Sequence, residues 1–159
     1  MAVVLARIDN RLIHGQVLEA WVPHTRADCV VVANDRVAGD RLRRTMMAAC
    51  VPSCITVHID GLEEVASAFA RGEFEDRRVL VLFENSSDAL MAHRLGLPFD
   101  QLNLGNMHAG EGKMRCSCTI ALDNGDIANL EALETEEGVK ILSQCVPGDR
   151  ARPWRKLIR

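Results

Sequence analysis

The chain has 159 residues, enough for one compact domain with a full core and too few for two ordinary ones. Hydrophobic residues make up 48%, charged residues 26%, and the net charge is −3. That balance excludes a disordered chain and offers no global basic field for nucleic acid. No apolar run approaches the roughly 20 residues needed to span a bilayer. The opening Met1–Arg7 has too short an apolar stretch and the wrong charge order for a signal peptide, so a cytoplasmic address is expected. The six cysteines lie in apolar or strand-like segments, where thiols in a reducing compartment act as small hydrophobes. Cys116 and Cys118 would share a strand face, but no second pair at zinc-like spacing accompanies them, so no metal is expected.

In chain order, Ala2–Ile8 reads as a first strand, apolar almost throughout, as a strand buried on both faces should be. Gly15–Val22 is a short helix stopped by Pro23. Cys29–Ala33 is a second strand, and Asn34-Asp35 opens a helix that runs to about Cys50 and ends before Pro52. Ile55–Ile59 is a third strand; Asp60 then caps a helix over Leu62–Ala70, with Glu63 and Glu64 in its first turn and Gly72 beyond its end. Val79–Phe83 is the cleanest buried strand, and Ser86 or Ser87 caps Asp88–Leu95, closed by Gly96. Gln101–Leu104 is a short strand entering a glycine-rich loop, Gly105–Gly112. Thr119–Leu122, a helix over Asp126–Glu136 ended by Gly138, and a strand over Val139–Val146 complete the pattern before Pro147-Gly148 and a basic tail. Strands alternating with helices predict a single three-layer α/β/α domain over residues 1–159, its mostly parallel sheet holding about six to seven strands. Trp21, Met46 and Met47 belong to core positions, His58 to an edge or the core, and His24, His93 and Trp154 to the surface. The clusters Arg41–Arg44 and Arg150–Arg159 read as a solvated helix face and a solvated tail.

In open α/β sheets, reacting groups sit at the carboxyl ends of the strands, which directs attention to the loop Asp9–His14. An imidazole nitrogen is a good nucleophile near neutral pH, and a phosphoryl group carried on it needs donors. The helix opening at Gly15 supplies free backbone N–H groups and lets the backbone approach. Arg11 supplies a planar cationic fork, Gln16 a further donor, and Asp9 a carboxylate able to hold Arg11 or the imidazole. Leu12-Ile13 would pin the loop to the core. On spacing alone His14 could equally be a capping or surface histidine. As the base of a hydrolase it lacks a partner, since no Gly-x-Ser-x-Gly elbow, P-loop or Gly-x-Gly-x-x-Gly follows any strand.

The run Arg7-Ile8-Asp9-Asn10-Arg11-Leu12-Ile13-His14-Gly15-Gln16-Val17, with Trp21 after it, resembles the opening signature of mannose/fructose/sorbose-type IIB components. These belong to the bacterial phosphoenolpyruvate-dependent sugar phosphotransferase system. Val31–Asp35, Leu102–His108 with Gly112-Lys113, and Gly138–Val146 followed by Pro147 resemble later parts of the same family, so the likeness covers essentially the whole chain. The resemblance implies a three-layer α/β fold with a phosphorylatable histidine, matching His14, on the loop after strand one. That histidine would receive phosphate from a IIA phosphohistidine and pass it to a sugar during uptake through IIC and IID membrane subunits. Arg11 would clamp the phosphate with Asp9 beside it, without metal or organic cofactor. A homodimer and peripheral association with the inner membrane through IIC/IID are further expectations of the resemblance.

Asn106, His108 and Lys113 form a possible second loop of the site; Lys113 and Arg115 fit partner-docking charges better than phosphate ligands. Asn10 stands where relatives often carry an acid, and the tail is unusually basic. Two other readings stay open: an orphan regulator phosphorylated at His14, and a small-molecule-binding α/β domain without phosphotransfer. Asp123–Asp126 lacks the ligand spacing of a calcium loop and reads as a turn.

Overall fold

Short runs of β-branched and aliphatic residues, separated by helical segments, build one seven-stranded sheet covered on both faces. The structure, a computed structural model, describes residues 2–159. Its strands are β1 (Val3–Asp9), β2 (Cys29–Ala33), β3 (Thr56–Asp60), β4 (Val79–Phe83), β5 (Gln101–Asn106), β6 (Met114–Arg115), β7 (Ala121–Leu122), β8 (Lys140–Ser143) and β9 (Arg152–Pro153). The large sheet has the order β3-β2-β4-β1-β5-β8-β9, parallel except for β9, while β6 and β7 form a separate antiparallel ribbon.

Every residue of β2 and β4 is buried, so alternate side chains feed two cores. Val30, Val32, Leu80 and Leu82 meet Leu12, Val17, Trp21 and Met47 on one face. Val31, Val79, Val81 and Phe83 meet Val65, Ala89, Leu130 and Trp154 on the other. Burial pushes the Cys29 thiol up to about 11, in keeping with a small hydrophobe.

Several element boundaries differ from expectation, each for a local reason. Pro23 does not stop the first helix. A π-helical turn over Val17–Trp21 leads into α1 (Val22–Thr25), where Pro23 occupies the first turn and its missing N–H costs nothing. The helix expected from Asn34 to Cys50 breaks at Gly39 into α2 (Asp35–Ala38) and α3 (Arg41–Cys50). Asn34 and Asp40 cap the two pieces through Val37 N–H and Arg43 N–H.

Asp60 does not cap α4 (Leu62–Ala70). It ends β3, and Asp35 Oδ1 from the first turn of α2 accepts the Leu62 N–H at 2.9 Å. A Cβ on Gly61 would stand 2.8 Å from that same oxygen. The cap of α5 (Ser86–Arg94) is Asn85, not a serine, and α6 (Asn124–Thr135) opens with a capping box between Asp123 and Asp126. The strand expected over Thr119–Leu122 shrinks to β7, and the one over Val139–Val146 to β8, because the chain turns after Ser143 to present carbonyls to an arginine.

Trp154 is fully buried rather than exposed: its Nε1 donates to Glu134 Oε2 at 3.1 Å, within a 3-10 turn over Trp154–Ile158. Met46 is exposed, although Trp21 and Met47 are core. His93 is half-buried, 2.9 Å from Glu137 Oε1 and 3.0 Å from the Phe99 carbonyl. His58 stands on the edge strand β3, its ring against Phe74.

Candidate functional site at the ends of β1 and β5

From β1 the chain departs towards β2, and from β5 towards β8, so the loops diverge and leave a crevice where these adjacent strands end. Asp9 and Asn106 are register partners there, and Asn10 N–H donates to the Asn106 carbonyl at 2.9 Å. Because side chains alternate, Arg7 and Asp9 point away from the core that holds Ile8, towards the π-helical turn.

Arg7 is fully buried. Its guanidinium donates to Asn103 Oδ1, to the Gln144 and Cys145 carbonyls at 2.8 and 3.0 Å, to Gln16 Oε1 at 3.3 Å and to Asp9 Oδ2 at 3.3 Å. It also lies 4.9 Å from the centre of the Trp21 ring. Burial pulls its pKa down and Asp9 opposes that pull, as expected of a buried cation that survives only by being paired. A Cβ on Gly105 would fall 2.0 Å from Arg7 Cζ, so the guanidinium occupies space that only a glycine leaves.

Asp9, also fully buried, accepts Arg11 N–H on Oδ1 at 3.1 Å. Its Oδ2 receives Asn106 Nδ2 at 2.9 Å and lies 2.9 Å from His14 Nε2. Burial pushes this carboxyl up, but hydrogen bonds with His14 and Asn106, together with the nearby positive charge, outweigh it and hold Asp9 below the usual carboxylate range. An ionised carboxylate can only accept, so Nε2 carries the proton in this pair, and in the neutral ring the lone pair therefore lies on Nδ1. Among the described residues His14 Nδ1 is buried and has no hydrogen-bond partner. Below the ring, Leu12 is held at φ 58, with its N–H on the Asp9 carbonyl and its side chain fully buried. That strain persists because the surrounding core over-determines it.

The other expected residues fall into place unevenly. Gly15 is exposed and a Cβ there would meet nothing within 4 Å, so the space above it is open. The helix that follows is π-wound in its first turns, and Gln16 is turned inward to Arg7, Asn106 and Cys145 Sγ rather than held out as a free donor. Arg11 is exposed, and among the described residues its guanidinium makes no hydrogen bond or ion pair. It lines a depression of about 290 Å³ with Asn106, His108 and Arg115. Asn106 therefore belongs to the site and His108 to its rim. Lys113 does not reach it; its Nζ sits 3.1 Å from Asp126 Oδ2. Sequence reasoning missed Arg7, Asn103 and Gln144 as parts of the site and read Trp21 as core alone. The signal that could have found Arg7 is a charge inside an otherwise apolar strand, which folding tolerates only when it is paired.

The molecule is thus an α/β protein with a carboxylate-bound imidazole at the switch point of its parallel sheet. Residues 3–159 match the family described as "PTS system sorbose subfamily IIB component", and the chain belongs to that family. It is thus a IIB component of the sugar phosphotransferase system, a class of phosphotransferases. The N-acetylgalactosamine-specific phosphotransferase enzyme IIB component 2 of Escherichia coli (strain K12) is 36% identical over 156 residues, 98% of each chain. The crystal structure of the IIBSor domain of the Klebsiella pneumoniae sorbose permease superposes with a TM-score of 0.93 at 33% identity, covering 99% of this chain and 96% of that one. The PTS system mannose-specific EIIAB component of E. coli (strain K12) is 31% identical over 133 residues, which are 84% of this chain and 41% of that protein.

Proposed function

We propose that His14 accepts a phosphoryl group from a IIA phosphohistidine and passes it to a sugar during uptake through IIC and IID subunits, with residues 1–159 acting as one phosphocarrier domain. The observation that carries this reading is the pair of roles on one ring: Nε2 held by Asp9 at 2.9 Å, Nδ1 without a hydrogen-bond partner among the described residues. The Nδ1 lone pair forms the new N–P bond while the donor's N–P bond breaks and its electron pair returns to the donor imidazole. The His14 ring gains positive charge as it reacts, and buried Asp9 beside Nε2 stabilises that charge where water cannot. Arg11, exposed and unpaired among the described residues, meets the phosphoryl oxygens from the solvent side. Nδ1 is buried, so the donor has to uncover it as it docks.

The IIA and IIB designations joined in one E. coli mannose chain support IIA as the donor. Among the described residues no helix is long and apolar enough to cross a membrane, which fits a cytoplasmic protein bound peripherally through IIC/IID. Sedimentation of the purified chain decides the homodimer expectation, on which the His14 chemistry does not depend. Incubation with phosphoenolpyruvate, the general phosphotransferase proteins and a matching IIA should give an acid-labile, base-stable phosphoprotein. His14→Ala should abolish the label, and phosphorus NMR should place it on Nδ1; undiminished labelling of the variant, or phosphate on Nε2, overturns the reading. Labelled protein that delivers to no sugar in membranes holding IIC and IID overturns the sugar step alone and favours a regulatory role.

A further inference from the structure

Lys113 stands apart from the crevice, yet among the described residues its side chain alone ties the second loop to a helix of the body. The base of that loop is closed by backbone bonds, Met107 N–H to the Thr119 carbonyl at 2.9 Å and Ala121 N–H to the Met107 carbonyl at 2.8 Å. Its tip, residues 108–112, is exposed, and Gly112 (φ 76) turns the chain back into Lys113. Among the described residues, Lys113 Nζ to Asp126 Oδ2, 3.1 Å, is the only side-chain hydrogen bond or ion pair joining 108–116 to another element. The receiving carboxylate is well built. Asp126 is buried, accepts Ser86 Oγ at 2.7 Å and Asp123 N–H at 3.1 Å, and Ser86 in turn accepts Asn129 Nδ2 at 3.0 Å. The socket for Lys113 is therefore shared by α5 and α6, elements that do not themselves reach the crevice.

We infer that Lys113 and Asp126 form a latch that positions the loop for phosphoryl transfer. The inference rests on the reading of His14 as phosphoacceptor. Latched, the loop holds His108 and Arg115 in the same depression as Arg11, so that the anionic donor meets a preformed rim. Unlatched, the β6–β7 ribbon and the closed base still hold Met114 and Arg115, but nothing further holds the tip 108–112 among the described residues, and the rim at His108 is assembled in a fraction of molecules. Lys113 and Asp126 are thus positioning residues that touch neither phosphate nor histidine.

The two members of the pair carry opposite charges, which separates a latch from simple electrostatic docking. Lys113→Met should raise the KM for phospho-IIA about tenfold if the latched fraction falls to about a tenth. The kcat should stay within about twofold, and Lys113→Arg should restore the KM. Asp126→Asn should also raise the KM, although removing a negative charge would by electrostatics alone strengthen binding of an anionic donor. Hydrogen exchange of amides 108–113 should accelerate in both variants while that of β4 stays unchanged. An Asp126→Asn KM that falls or stays constant overturns the latch, as does a raised Lys113→Met KM with unaltered loop exchange. If Asp126→Asn does not fold, the exchange and KM of Lys113→Met still decide the matter. If the parent takes no phosphate on His14, the phosphoacceptor reading fails by itself, and loop exchange still tests the latch.

Discussion

Asp9 works through both of its oxygens: one holds the loop at Arg11 N–H, the other holds the imidazole and Asn106. An amide in its place keeps an acceptor for Nε2 but brings no charge to meet the cationic ring. Asp9→Asn should therefore slow phosphorylation of His14 by about 10²-fold or more in a rapid-quench assay while the fold is retained. Beneath it, Arg7 is fixed by side-chain and carbonyl acceptors and cannot yield to a new methyl group. Gly105→Ala, with its Cβ 2.0 Å from Arg7 Cζ, should cost about 2 kcal/mol or more in urea denaturation and abolish transfer. His14 and Asp9 could be picked out in the sequence because their types and spacing suit an anion site. The Arg7–Gly105 fit could not, because it joins residues 98 positions apart whose closeness exists only once β1 and β5 pair.

At the scale of the elements, the helix ends carry the largest departures from expectation. Arg26 closes α1 in the left-handed region at φ 56, a conformation that suits glycine, and its side chain is exposed. Arg26→Gly should stabilise the protein by about 0.5–1 kcal/mol and raise Tm by about 1–4 °C, read by calorimetry. Asp88 in the first turn of α5 shows the reverse. Burial, with Glu84 and Asp35 nearby, raises its pKa despite the hydrogen bond from Asn34 Nδ2 at 2.7 Å. A carboxylate whose folded value is raised costs stability when ionised, and that cost vanishes as the pH falls through the raised value. Asp88→Asn should thus raise the urea midpoint at pH 7 and lose that advantage in acid. Asp60 and Ser86 looked like caps because they are the right residue types, but a cap is whichever residue turns extended just before the helix. At α5 that is Asn85; at α4 it is Gly61, which has no side chain to offer, and Asp35 from the first turn of α2 accepts the helix N–H instead.

Across the whole molecule, the acid limb of stability belongs to the buried carboxylates that gain partners on folding. Asp9 and Asp126 both sit below the usual 3.8, since their hydrogen bonds outweigh burial. Their contribution is fully present above the unfolded value near 3.8 and is lost as the pH falls through the depressed folded values. Urea titrations at pH 7, 4 and 3 should show the midpoint dropping steeply only in the most acid sample, and Asp9→Asn should flatten that drop. Composition and the alternation of β-branched runs with helical patterns sufficed to determine a largely parallel sheet covered on both faces, since burial on two sides leaves its mark in every residue of β2 and β4. The motif around His14 determined where to look and, by resemblance, what family to expect. Tertiary structure alone decided that Trp154 is core, that Lys113 serves Asp126, and that Arg7 lies under the site. It alone also decided which nitrogen of His14 Asp9 holds. Each of these turns on a partner distant in sequence, and a local pattern holds no record of which remote atoms the packed chain brings within a few ångströms.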